Sequence, residues 1–453
     1  MKKTTNQSSP SKEIRGGRSN PWAWVPSLYF AEGIPYLMVM AIAAIMYKKL
    51  GLDNDEIALY TSWLYLPWVI KPLWSPIVDM FKTKRWWIVV MEFVIGVTIA
   101  GVALTIRAPQ FVQYTMAFFW LMAFSSATHD IAADGFYMIG LDTNKQSLFV
   151  GIRSTFYRIS MIAGQGLTLI LAGTLERNLG DEPLAWTYTM ATVAVVFILL
   201  FLYHAIMLPR VEKADQEKKE KNASASQFFA VFKEFFTKQG VWIAIVFMLL
   251  YRFPEALLTK IAPLFLIDNA AAGGLELSTD AVGIAQGTVG VVGLTIGGIL
   301  GGIAASRGGL KKWLWPMVWA ITLPDIIYVF LSVMMPSNIF VISTAIFVEQ
   351  FGYGFGFTAY MLFMLYFCQT GNGRESGVES QESRTNNQTS HYAICTGFMA
   401  LSMMLPGMVA GYLQKWLGYT AFFILVMACC LLTVIVARIV KIDPQFGVKD
   451  NKQ

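Results

Sequence analysis

Trp186–Leu208 reads WTYTMATVAVVFILLFLYHAIML, 23 residues without one Asp, Glu, Lys or Arg. As a helix rising about 1.5 Å per residue it extends roughly 35 Å, enough to cross a hydrocarbon layer about 30 Å thick. Beyond it Arg210, Lys213, Lys218, Lys219 and Lys221 crowd a polar break, while Arg177 stands nearly alone on the other flank. The whole chain shares this character. Of 453 residues, 55% are hydrophobic, 14% aromatic and 14% charged; mean hydropathy is +0.52 and net charge +6. Soluble domains carry about 25% charged residues. A chain this apolar cannot hide its surface in a water-facing globule, which excludes a soluble enzyme, a disordered protein and a nucleic-acid binder. Cys368, Cys395, Cys429 and Cys430 lie in apolar runs with no CxxC pair and no nearby His, so neither a disulfide framework nor a zinc site is expected.

Working outward, twelve such spans are expected near 23–47, 57–80, 86–106, 112–140, 151–175, 186–208, 239–267, 280–305, 313–334, 338–369, 390–414 and 418–441. Period-2 alternation is absent, so they are helices and not barrel strands. Basic residues crowd one side: the N-terminus, Lys82–Arg85, Lys145, Arg153, the 209–238 linker, Arg307, Lys311, Lys312, Arg374, Arg384 and the C-terminal tail. The opposite side has Lys48, Lys49, Arg107, Arg177 and Lys415. The positive-inside rule then places both termini in the cytoplasm. The polar start of the chain is not a cleavable signal, because the apolar stretch after it is too long.

The break at 209–238 divides the chain into a tail (1–20), a six-helix half (21–208), the linker, a second six-helix half (239–441) and a tail (442–453). Phe228, Phe229, Phe232, Phe235 and Phe236 recur in the linker at near-helical spacing beside Lys233 and Lys238, as in an interfacial amphipathic helix. The halves echo each other at a shift of about 227 residues: Asp79-Met-Phe-Lys82-Thr-Lys84-Arg85 aligns with Ser306-Arg307-Gly-Gly-Leu-Lys311-Lys312. Two related halves imply two bundles around a central cavity. Both loops resemble the short loop motif of the major facilitator superfamily. A charged latch of Asp79, Lys82, Lys84, Arg85, Arg307 and Lys311 is expected to bias one closed state.

Ionisable residues inside spans are costly unless paired or hydrated, so they mark function. The first half has Glu32, Lys71, His129, Asp130, Asp134 and Arg158. Glu32, Lys71, Asp130 and Arg158 come to similar depth on four helices. Asp130 and Asp134, four apart, share one helix face and can compete for a proton. The plain alternative is a static network pairing Asp130 with Arg158 and Glu32 with Lys71. His129 points about 100° away and is expected to make a simple polar contact. The second half has Arg252, Glu255, Lys260, Asp325, Glu349 and His391. Arg252 and Glu349 are expected to face the cavity, Arg252 offering a fork to a substrate carboxylate. Asp325, after Pro324, reads as part of a helix break. Eight glycines from Gly283 to Gly302, answered by Gly164 and Gly166, predict close contact between spans 8 and 5.

Several of these segments resemble one branch of the superfamily, the AmpG-type anhydromuropeptide permeases and the related acetyl-CoA transporters. They are Tyr29-Phe-Ala-Glu32-Gly33-Ile34-Pro35, Leu66-Pro67-Trp-Val-Ile-Lys71-Pro72-Leu-Trp74-Ser-Pro76-Ile-Val-Asp79, Ala127-Thr-His129-Asp130-Ile-Ala-Ala-Asp134-Gly135, and Tyr157-Arg158. The resemblance implies a twelve-helix transporter that imports cell-wall amino sugars into the cytoplasm for recycling, driven by protons, across an inner membrane. It implies roles in coupling for Asp130, Asp134, Lys71 and Arg158. Aromatics such as Trp63, Tyr65, Trp68 and Trp74 offer stacking faces for sugar rings. The expected partners are a small solute, protons and the bilayer, with no cofactor, no nucleic acid and a monomeric chain. The alternatives are a carrier of another amphipathic solute (an oligosaccharide, a sialic acid or an acyl-CoA) or a non-transporting membrane sensor. An enzyme is disfavoured, since no loop is large enough to hold a donor.

Overall fold

The computed structural model describes residues 20–141, 143–210, 225–369, 381–444 and 446–447. Those residues form helices and connecting loops, with no strand among them. In chain order the helices are α1 (Pro21–Lys49), α2 (Asn54–Trp63), α3 (Leu66–Met80), α4 (Lys84–Thr105), α5 (Phe111–Gly140), α6 (Gly151–Leu179) and α7 (Glu182–Met207). Then come α8 (Ala225–Thr237), α9 (Val241–Ile267), α10 (Thr279–Met334), α11 (Ile339–Gln369), α12 (Gln381–Leu417) and α13 (Tyr419–Ile439).

Among the described residues, nine helical stretches are long and apolar enough to cross a membrane. Two segments read as spans from the sequence are helical but fall outside the nine. One is α2–α3, interrupted at Leu64 and Tyr65 just before Pro67; the other is α5, which carries His129, Asp130 and Asp134. The 56-residue α10 covers two expected spans. It breaks at Gly309, whose φ of 75° and ψ of 162° suit a residue without Cβ. In α1, Pro35 removes a backbone donor, and a π-turn over Met38–Ile42 follows it.

The helices before residue 208 and those after 239 form two sets that meet mainly at one end, the end away from the chain termini. There a single hydrophobic cluster runs through both sets, with Ile45, Met46, Tyr47 and Ile57 on one side and Leu257, Phe265, Tyr419 and Phe422 on the other. At the terminal end the sets keep separate cores. Trp24, Val25, Phe136, Leu141 and Leu208 form one; Phe235, Leu310, Phe367 and Ile442 belong to the other. Two close crossings join the sets. A Cβ on Gly287 of α10 would lie 2.6 Å from Gly166 Cα of α6, and one on Gly411 of α12 would lie 2.5 Å from the Asn54 carbonyl oxygen. The expected meeting of spans 5 and 8 is therefore present, built on small residues that let backbones touch.

The helix expected in the linker appears as α8, but it does more than lie at an interface. Phe235 is fully buried, with its ring 5.6 Å from those of Phe367 and His391. The side chains of Phe228 and Phe229 lie outside the described residues, as do the leading tail to residue 19 and linker positions 211–224.

Candidate functional site

Midway along the first set, side chains from α1, α3, α5 and α6 converge. Lys71 and Asp130 form an ion pair. One turn further along α5, Asp134 Oδ1 accepts from Arg153 Nη2 at 2.8 Å and from the Tyr29 hydroxyl at 3.2 Å. The Arg153 guanidinium lies 4.4 Å from the Tyr29 ring centre and 5.1 Å from that of Tyr137. Glu32 sits against Asp130 and Asp134, and its Oε2 is enclosed without a hydrogen-bond partner. The four-residue spacing of the aspartates puts both carboxylates on one face of α5. Buried Ile131, Ala132 and Ala133 fill the opposite side. The side chains of Lys71, Asp130, Arg153 and Asp134 are 21%, 23%, 30% and 43% exposed, so water reaches them inside the helix bundle.

The charge count is uneven: Glu32, Asp130 and Asp134 face Lys71 and Arg153. At an effective dielectric of about 20, unit charges about 5 Å apart interact by roughly 3 kcal/mol. A third negative charge beside two ion pairs is therefore disfavoured. A proton on one carboxyl would relieve it.

Four of the residues singled out from the sequence (Glu32, Lys71, Asp130 and Asp134) thus come together, and their pairing differs from that of the static network weighed as the alternative. Asp130 takes Lys71. Arg158 donates instead to Thr295 Oγ1 on α10 at 3.3 Å, across to the second set. The basic residue beside Asp134 is Arg153, which the sequence reading placed among the surface anchors. Residues 153 and 158 are five apart, about 140° around a helix of 3.6 residues per turn, so they cannot serve one face. His129 turns away from Asp130, as anticipated, into a network the sequence did not reveal. Its Nε2 lies 3.2 Å from Glu92 Oε1, His204 Nδ1 lies 2.7 Å from the same oxygen, and His204 Nε2 lies 2.9 Å from Ser27 Oγ. All three charged or titratable members are fully buried on separate helices.

In the second set Arg252 and Glu349 have different direct partners. α9 is broken at Tyr251 and Arg252, ahead of Pro254, which aims Arg252 inward. Its guanidinium donates to the Tyr353 hydroxyl and packs 4.6 Å from the Phe357 ring and 5.7 Å from that of Tyr360. Glu349 lies instead with Glu255 and Asp325. Asp325 sits in the Leu323–Asp325 turn that Pro324 enforces, the helix break read from the sequence. Lys260 reaches the first set, donating to Thr61 Oγ1 at 2.9 Å.

Of the expected latch, Lys82 is exposed with a φ of 62°, and Lys84 is buried against Gly135. Arg85 donates to the carbonyls of Leu208 (2.9 Å) and Ala205 (2.5 Å), which tie it to α7 in its own set. Arg307 and Lys311 are exposed, and the Asp79 side chain lies outside the described residues. Among the described residues, the ion pairs joining the two sets all lie at the opposite end. Lys48 meets Asp268 at 2.9 Å, Lys415 meets Asp55 at 3.0 Å, and Arg177 meets Asp280. Asn54 Nδ2 adds hydrogen bonds to Gln414 Oε1 (2.9 Å) and the Tyr419 hydroxyl (2.8 Å). This seam closes one end.

Comparison with known proteins agrees with this architecture. The Major Facilitator Superfamily profile matches residues 27–377. The transporter named AmpG 4 of Rickettsia conorii is 24% identical over 88% of this chain and 91% of its own length. The anhydromuropeptide permease of Escherichia coli K12 is 23% identical over 88% of this chain and 76% of its own. The crystal structure of the nucleoside transporter NupG superposes with a TM-score of 0.64 at 16% identity, covering 92% of this chain and 96% of that one. The chain belongs to the Major Facilitator Superfamily: it is a multi-pass membrane transporter of a small solute and not an enzyme.

Proposed function

We propose that this superfamily member is a proton-coupled importer of anhydromuropeptides or related amino-sugar cell-wall fragments, working by alternating access across an inner membrane. In this reading it has twelve spans in two six-helix halves, cytoplasmic termini and a monomeric working unit. The observation that carries the coupling is the uneven group of three acids and two bases, with one Glu32 oxygen unpartnered. The solute class follows from the Glu32, Lys71, Asp130 and Asp134 motifs and from relatives that carry the permease name.

With basic loops inside, the seam at Lys48, Asn54, Asp268 and Lys415 is the outer gate and the conformation is inward-open. Protonation of the acid group from outside lowers the cost of enclosing it as that gate forms. On the inner side, water at Asp134 and Arg153 takes the proton away. Arg252 and its tyrosines offer the solute a cation and ring faces. In the outward-open state the inner latch is formed by Asp79, Lys82, Lys84 and Arg85 from one loop, with Arg307 and Lys311 from its counterpart. The mixed charge of the chamber suits an amino sugar better than an acyl-CoA, whose phosphates call for a more uniformly basic wall.

Proteoliposomes with an inward proton gradient test this. N-acetylglucosaminyl-anhydro-N-acetylmuramic acid should accumulate, and the gradient's collapse should stop it. Accumulation of that sugar without regard to pH or potential would remove the coupling. Failure to transport it while a nucleoside, sialic acid or acyl-CoA is carried would remove the substrate class.

A further inference from the structure

The second set holds an acid group whose surroundings contrast with those of the first. Glu255 from α9, Asp325 from the turn at Pro324 and Glu349 from α11 each place a carboxylate oxygen within 4.8 Å of the others. Each side chain is nearly sealed from water. Their hydrogen-bond donors are neutral. Thr259 Oγ1 donates to Glu255 Oε1 (2.8 Å), Gln350 Nε2 to Glu349 Oε2 (3.0 Å), and the Cys430 thiol to Asp325 Oδ2 (3.5 Å). No Lys or Arg among the described residues forms an ion pair with any of the three. Arg252, one turn before Glu255, attracts its carboxylate but forms no ion pair with it: the guanidinium donates to Tyr353, packs among the rings around it and leaves its Nε without a partner.

A second observation is independent of that clustering. Glu255 Oε2 is enclosed without a hydrogen-bond partner, though its residue is 3% exposed. Gln286 of α10 reaches Tyr328, which interacts with the same three acids, and Gln286 Oε1 is likewise enclosed with no donor. The protein leaves the lone pairs of both oxygens unused.

We propose that Glu255, Asp325 and Glu349, with Gln286 at their edge, form a binding site for a hard metal cation of the sodium, magnesium or calcium class. Oxygen-only ligands select hard cations over soft ones, and a cation offsets like charges that the fold has gathered away from water. The site is separate from the Lys71–Asp130 group. It does not depend on the identity of the solute.

The experiment follows thermal unfolding of the full-length protein in detergent while sodium, magnesium or calcium chloride is titrated at constant ionic strength against choline chloride. A ligand that binds only the folded state raises its stability. One of the three ions should raise the midpoint saturably in the unaltered protein and in Asp130→Asn. Its apparent affinity should fall at least tenfold in Glu255→Gln and Glu349→Gln. Gln286→Ala keeps all three acids and should weaken binding several-fold, which keeps the test valid if an acid variant elutes as aggregate. No ion acting beyond choline, or an equal response in Glu349→Gln, overturns the site. Because the readout is binding, the inference can fail while proton-driven uptake stands, and the reverse.

Discussion

The two acid groups make opposite use of the same side chain. In the first set, Asp130 and Asp134 meet Lys71 and Arg153, and the four side chains are 21–43% exposed. In the second, Glu255, Asp325 and Glu349 accept hydrogen bonds from neutral donors, have Arg252 near Glu255 without an ion pair, and expose 1–3%. In the proposed cycle, mixed signs beside water let a proton change hands. Like signs sealed from water cannot all remain ionised unaided, since each pair would repel by several kcal/mol. Counterion and hydration, more than residue type, separate the group proposed to exchange a proton from the one proposed to hold a cation.

The sharpest way to break this contrast is Asp130→Asn, which strands Lys71. Proton-driven uptake in proteoliposomes should fall by about tenfold or more, the usual scale for an unpaired intramembrane charge. Unchanged uptake would take Asp130 out of the exchanging group. The next effect distinguishes the arginines. Arg153→Ala, which frees Asp134, should lower uptake about tenfold, and Arg158→Ala only a few-fold, measured side by side; the reverse order would return Arg158 to the site. A stability effect follows. Glu92→Gln leaves His129 and His204 without their shared carboxylate. It should cost about 2–4 kcal/mol, read as a lower unfolding midpoint, with uptake per folded molecule little changed. The smallest effect is at the seam. Asp268→Asn should weaken closure by about 1 kcal/mol, seen as a several-fold faster reaction of a cysteine placed at buried Ser62 with an impermeant maleimide. No change in labelling would mean that the apolar cluster alone holds that end shut.

Much of the architecture was legible before any coordinates. Runs such as Trp186–Leu208 can satisfy their backbone in lipid only as helices, and Pro324 sits at the helix break its sequence position announced. Glu32, Lys71, Asp130 and Asp134 were recognisable because charges in apolar surroundings are expensive. Less of the site could be read. Arg153 lies near the start of its span and looks like any other membrane-edge cation. Glu92 and His204 sit singly in apolar runs, with no short spacing to link them. Lys48, Asn54, Asp268 and Gln414 are polar residues near helix ends, indistinguishable in sequence from ordinary surface.

By itself, then, the sequence determined that the chain is helical, embedded and a transporter, and which charges share a helix face. Face follows from covalent spacing along a helix, which local geometry fixes. Tertiary structure alone decided that Lys71 and not Arg158 neutralises Asp130, that three acids from separate segments meet away from water, and that one end is sealed. Those outcomes depend on how each helix is rotated and slid against its neighbours. Packing over hundreds of residues sets that rotation, and no local run of residues encodes it.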